Sequence, residues 1–294
     1  RRAVALPAAR AAARRRAGAA MSEATTPSPV AAVTAFSDQK QGRLFLVPAP
    51  LDFGCEQQAP LEDALPRATI GQAAQLSHWI CENAKSTRAY LKRVDAIQAL
   101  ATPIQAQQIT ELPREVHKKG DHGDKGAPVF DARPLLAAAL QGHDMGLVSE
   151  AGMPAVADPG SSIVRAAHDL EVPVVPLVGP VSLLLALAAS GMNGQNFAFV
   201  GYLPQSGQER TQRIRELESF ALKTGQTQVF IETPYRNAAL WQALTQTLQT
   251  NTRLAMAAGL TLESAKLCSL PVKQWRQREA PVDNRTPTVF LIGR

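Results

Sequence analysis

Between Ser149 and Gly160 the chain reads SEAGMPAVADPG, which places two glycines, two prolines and two acids in one short stretch. It follows an apolar run ending at Val148, and open parallel sheets hold their ligands just beyond such strand ends. Gly152 lets the backbone bend and leaves no side chain in the way of a close ligand. Met153 and Pro154 supply an apolar wall with a fixed turn, and Asp158 followed by Pro159 reads as a helix cap with proline at the first helical position. A plain turn has the same composition, so these residues alone leave open whether the loop only reverses the chain or holds a ligand. His117, Asp121, His122 and Asp124 are metal-ligating types, but no regular face holds them together. A solvated loop is the simpler reading, and no metal is expected. Cys55, Cys81 and Cys268 lie far apart, without the paired spacing of a zinc site or a disulfide framework, so a reducing cytoplasm is the simplest setting.

Strands and helices alternate around this loop. Arg43–Pro50 (RLFLVPAP) predicts a buried strand entering a tight loop, and the folded part begins near Gly42. A helix is expected within 65–75, a strand at 76–81, a helix over 86–94 and a mobile Gly- and charge-rich loop over 114–128. From Arg133 the alternation is regular: helix to Leu140, strand MGLVS, helix 161–170, strand PVVPLV, helix 181–190. Such alternation argues for parallel sheet with helical crossovers. It continues through NFAFVGYL, a helix over 208–222, TQVFIE and a helix over 235–248. RLAMAAGL, KLCSLPV and TVFLIG then follow with little helix between them. The expected fold class is α/β, with a second, mixed sheet joined to the first near Gly179. The expected divisions are an extension over 1–41, one α/β domain over 42–178 and another over 179–294.

The formal charge is +6, yet six arginines (Arg1, Arg2, Arg10, Arg14, Arg15, Arg16) fall before residue 23, where there is no lysine and no acid. The remainder carries 25 basic and 25 acidic residues and is formally neutral. A nucleic-acid surface must therefore come from local clustering, not from bulk charge. The Ala- and Arg-rich start lacks a signal-peptide apolar region, and Met21 is the expected true start. The longest apolar run, around 181–189, is far short of the ~20 residues needed to cross a bilayer, so no membrane span is expected.

Read with its neighbours, the Ser149–Gly160 stretch stops being ambiguous. VPAP at the first strand end, PLVGPVSLLLALAASGMNG over 176–194, FAFVGYLP over 197–204 and IETPYRN over 231–237 occur in a set order. Together they resemble the tetrapyrrole methylase superfamily of S-adenosylmethionine-dependent methyltransferases. Within it they are most similar to the branch acting on a cytidine 2′-hydroxyl of bacterial small-subunit ribosomal RNA, with its SDAGTP-x-x-x-DPG, PGPSA and GFLP patterns. The resemblance covers about residues 42–294. It implies two α/β domains with S-adenosylmethionine bound in the cleft between them. Carried over by position, the site would be lined by the backbone of Glu150, Ala151, Gly152, Met153 and Pro154, by the turn Val178, Gly179, Pro180 and Ser182, and by Gly201, Tyr202 and Leu203. Ala257 and Ala258 would face it from the second domain, and Pro48 and Pro50 would shape its mouth. Members of this kind often form homodimers.

The departures concentrate on the substrate side. The family's Glu-Asp-Thr-Arg is ENAK here, keeping Glu82 and replacing arginine by Lys85, which loses the planar fork. Its Glu-Ser-Thr-His-Arg is ETPYR, keeping Glu232 and Arg236, and its Arg-Glu-Leu-Thr-Lys is AGLTLES. Glu82, Lys85, Glu232 and Arg236 are the candidate catalytic residues, with Lys85 or Glu82 placed to take a proton from a hydroxyl acceptor. Ordinary ion pairs across the cleft are the plainer role for the same four. Tyr202 and Tyr235 either stack on a base or pack in the core, and Trp241 and Trp275 are packing residues. The implied activity is methyl transfer to RNA. The alternatives are a small-molecule acceptor such as a tetrapyrrole, against which the single Gly54 of PAPLDFG counts, and a non-catalytic module binding RNA or S-adenosylmethionine.

Overall fold

The computed structural model describes residues 40–113, 116 and 130–294. The extension before residue 40 and the expected loop with His117, Asp121, His122 and Asp124 lie outside the described residues. The first sheet contains β1 (Leu44–Val47), β2 (His78–Cys81), β3 (Gln108–Glu111), β4 (Met145–Val148) and β5 (Val174–Pro176). Its order is β3-β2-β4-β1-β5 and every pairing is parallel. Parallel strands need crossovers and are covered on both faces, which is why β4 is apolar and buried throughout. Phe45 and Val47 face the helices α1 (Arg67–Gln75) and α2 (Ala84–Asp95), while Leu44 joins the opposite cluster with Leu147, Ile163 and Ala166 of β4 and α3 (Ser161–Asp169).

The second sheet holds β6 (Phe197–Tyr202), β7 (Thr227–Ile231), β8 (Arg253–Ala258), β9 (Lys266–Pro271) and β10 (Thr288–Gly293), in the order β6-β7-β10-β8-β9. β6 and β7 run parallel and the other pairings are antiparallel, as the helix-poor last third implied. The helix α4 (Ser182–Ser190) covers one face through Leu183, Ala186 and Leu187 against Val229, Ala255 and Leu291. The helices α5 (Gly207–Thr224) and α6 (Asn237–Thr247) cover the other. There Trp241 and Trp275 meet edge to face with ring centroids 4.9 Å apart, the core role expected of them.

The chain passes from β5 to α4 through Val178 and Gly179, and this joint is pinned twice. Thr69 Oγ1 of α1 donates to the Val178 carbonyl at 2.7 Å. A Cβ at Gly179 would lie 2.2 Å from Cγ of Pro48, a ring that has no rotamer in which to escape. Gly179→Ala is therefore expected to destabilise the fold by about 2–3 kcal/mol through overpacking, lowering the melting temperature by about 5–10 °C. An unchanged thermal melt would show that Pro48 can move aside freely. Among the described residues no helix is long and apolar enough to cross a membrane.

Candidate functional site

The loop leaving β4 is tied to the loop leaving β1. The Ala49 amide donates to the Gly152 carbonyl at 2.9 Å and the Gly152 amide returns the bond to Ala49 at 3.0 Å. Gly152 thus spends both backbone groups on Ala49, and what it offers a ligand is room, not hydrogen bonds. Positive φ recurs along the loop: 71° at Gly152, 64° at Ala155, 65° at Ala157 and 136° at Gly160. Alanine rarely occupies that region, and two such residues in one loop mark backbone held by its surroundings at a site. Asp158 is not the helix cap that the sequence suggested. The cap position of α3 is Gly160, without a side-chain cap bond, so the helix starts later and the carboxyl group is released.

Asp158 instead lines a cavity of about 470 Å³ at the strand ends. Burial, then the charges of Glu82 and Glu150, push its pKa up to about 7. The second sheet closes the same cavity through Tyr202, Ile231, Glu232 and Ala257. Glu232 is buried, and its Oε1 accepts from the Thr233 amide at 2.8 Å and from Arg236 Nη2 at 2.7 Å. Its Oε2 is buried and has no partner among the described residues. Apolar atoms of Met153, Val181, Leu183 and Leu260 complete much of the wall. Carboxyl groups thus sit in a largely apolar surround, with Arg285 on the same wall. The phenol of Tyr202 is raised by burial and then by Asp158 and Glu232.

Of the residues singled out in the sequence, the structure brings Glu150, Ala151, Gly152, Met153, Ser182, Tyr202, Glu232 and Ala257 together on this wall. Pro48, Pro50, Pro154, Pro180, Leu203 and Ala258 are buried off it, while Val178, Gly179 and Gly201 also lie off it and Val178 is exposed. Arg236 acts on the cavity through Glu232, as a local ion pair and not one that crosses between the sheets. Tyr202 and Tyr235 are 55% and 68% exposed, which overturns core packing for both. The guanidinium of Arg236 lies 5.2 Å from the Tyr235 ring centroid. The cavity residues that sequence reasoning missed include Asp158, whose DPG setting was visible but was read as a cap, and Arg285, which sits in a stretch with no periodic signal.

Lys85 lines a second cavity, with Asn83, Tyr90 and Ser149. Asn83, which stands where the resembled pattern has an acid, caps α2: its Oδ1 accepts from the amides of Lys85 at 2.8 Å and Ser86 at 3.3 Å. That departure keeps the local fold while removing a charge.

The α/β fold is shared with the crystal structure of the methyltransferase CobJ. The TM-score is 0.52 at 16% identity, over 86% of this chain and 94% of that one. At that identity the likeness speaks to fold alone. Residues 84–274 match the family described as tetrapyrrole (corrin/porphyrin) methylases, and the chain belongs to that family. The ribosomal RNA small subunit methyltransferase I of Vibrio cholerae serotype O1 is 32% identical over 154 residues, 52% of each chain. The protein of the same name from Halalkalibacterium halodurans is 30% identical over 198 residues, 67% of this chain and 57% of that one. The matched stretches span about half the length of these curated relatives.

Proposed function

We propose that the protein is an S-adenosylmethionine-dependent methyltransferase that acts on RNA, at a ribose hydroxyl. The observation that carries this is the buried Oε2 of Glu232, without a partner among the described residues, on a residue that lines a cavity together with Glu150 and Asp158. An orphaned buried carboxylate oxygen is costly unless a ligand satisfies it, and S-adenosylmethionine carries the matching charge. When bound, that molecule supplies a methyl group on a positively charged sulfur. Glu232, held by Arg236 and Thr233, would accept from the ammonium group of that molecule, while Met153, Val181 and Leu183 would exclude water from its sulfonium end. Glu82 or Lys85, both on the side of the first sheet, would take the acceptor's proton.

The relatives named as ribosomal RNA small subunit methyltransferases support RNA as the acceptor class. The same reading carries a division of the fold near 178/179, action in the cytoplasm and assembly as a homodimer, the last of which light scattering on the eluting protein checks. The test of function is calorimetric titration with S-adenosylmethionine followed by a labelled-methyl assay on total RNA. Binding with label transferred to RNA is the expected result. Absence of binding would overturn the donor, and binding with label transferred only to small molecules would overturn the acceptor.

A further inference from the structure

The second cavity, about 570 Å³, lies between α2 and the end of β4. Two of the residues that line it carry buried hydroxyl groups with no partner among the described residues: Tyr90 Oη, on a residue 6% exposed, and Ser149 Oγ, on a residue 5% exposed. One orphan hydroxyl is an irregularity of packing. Two on one wall, from different elements, describe a surface that hydrogen-bonds something absent from the protein. Several of the polar groups around them are already engaged. Arg93 makes a fork to both carboxylate oxygens of Asp52, at 3.0 and 2.9 Å, and a third bond to the Ala59 carbonyl. The first amides of α2 are taken by Glu111 and Asn83, so the helix end does not serve an anion. Among the described residues, the cations on the wall without an ion pair are Lys85 and Lys92, both exposed. Phe53, 44% exposed, and Gly54 and Glu150 line this cavity and the first one alike.

We propose that this second cavity receives one nucleotide of a single-stranded RNA acceptor, its uncharged polar edge on Tyr90 and Ser149 and a flanking phosphate at Lys85 and Lys92. The hydroxyls both donate and accept, so they suit a base or sugar edge and not an ion. The lysines are point charges at the rim, which suits a backbone phosphate. Phe53 offers an aromatic face at the border with the first cavity. The proposal rests on the reading of the protein as an RNA methyltransferase, and it names the acceptor's seat.

The test uses the full chain and a fluorescently labelled single-stranded RNA of about ten nucleotides, with anisotropy for RNA affinity, calorimetry for S-adenosylmethionine and a thermal melt for each variant. Tyr90→Phe and Ser149→Ala are each expected to weaken RNA binding about fivefold to tenfold, while leaving the melting temperature and S-adenosylmethionine affinity unchanged. Lys85→Ala with Lys92→Ala is expected to flatten the salt dependence by about one to two phosphate contacts. Hydroxyl deletions that lower the melting temperature but leave RNA affinity intact would assign both groups to the fold and overturn the proposal. RNA that fails to bind a wild-type protein still taking up S-adenosylmethionine overturns the nucleotide seat and spares the donor site. The converse, Tyr90-dependent RNA binding without S-adenosylmethionine uptake, supports the seat and overturns the donor.

Discussion

Replacing Glu232 by glutamine is expected to weaken S-adenosylmethionine binding on the order of 100-fold, because a charge-assisted hydrogen bond is worth about 2–3 kcal/mol and each tenfold in affinity about 1.4. The side chain of Glu232 is fully buried and that of Arg236 is 20% exposed. The variant keeps an oxygen for the Thr233 amide, but the guanidinium loses its counter-ion. Breaking a fully buried pair costs about 3–5 kcal/mol; with the arginine partly in water, a loss of about 2 kcal/mol is expected here. A thermal melt reads the second effect and calorimetry the first. Arg236→Lys is the control: it keeps the charge without the fork, so affinity is expected to fall less than in the glutamine variant. Undiminished affinity in the glutamine variant would move the donor out of this cavity.

Asp158→Asn is expected to stabilise the protein at pH 8 and to weaken its hold on the donor. Burial first, and then Glu82 and Glu150, raise the folded-state pKa from 3.8 to about 7. Below about pH 4 the side chain is protonated in both folded and unfolded chains, and its contribution to stability is fully present. Between that point and pH 7 the unfolded chain releases the proton while the folded one keeps it, so stability falls as pH rises and levels off above 7. Asparagine cannot ionise and removes that loss. With a discount for partial exposure to water, the gain at pH 8 is about 2 kcal/mol, or about 4–8 °C in melting temperature. The groups around Asp158, namely Glu82, Glu150, Tyr202, Glu232 and Arg236, remain in the variant. The difference between the two proteins therefore isolates this carboxyl group from them and from the ligand's own ammonium. In wild type, donor affinity rises from pH 6 to pH 8 as the carboxylate forms. In the variant that part of the rise, about tenfold, is absent. A variant no more stable than wild type at pH 8 would mean the carboxyl group is not held against its charge.

These two residues were not equally legible in the sequence. Glu232 ends an apolar strand in a distinctive setting, and its place at the mouth of a sheet follows from chain order. Asp158 carries the same chemistry but stands in a loop whose conformation depends on what packs over it. Composition suggested a cap, and the positive φ of Ala155 and Ala157, which delays the helix, has no signature in residue type. Apolar runs such as those of β4 and β10 announced buried strands. β3, with the sequence QITE, did not, because an exposed edge strand needs no apolar alternation. For Tyr202 only the core-packing alternative failed: Gly201 takes a φ of 73° and the register with β7 shifts between Phe199 and Tyr202, which breaks the regular alternation at the end of β6. Arg285 reaches the cavity by tertiary folding alone.

The two hydrogen bonds between Ala49 and Gly152 join the loops that follow β1 and β4 into one patch of backbone. In the language of amide exchange, these two protons belong to one opening event: neither can reach solvent while the other bond partner is held. Leu51 and Phe53 on one side of the patch and Met153 on the other belong to the first cavity, and Ala49, Pro50 and Phe53 to the second. A molecule that clamps the patch from either cavity slows the opening of both loops, so the two chambers share a single latch.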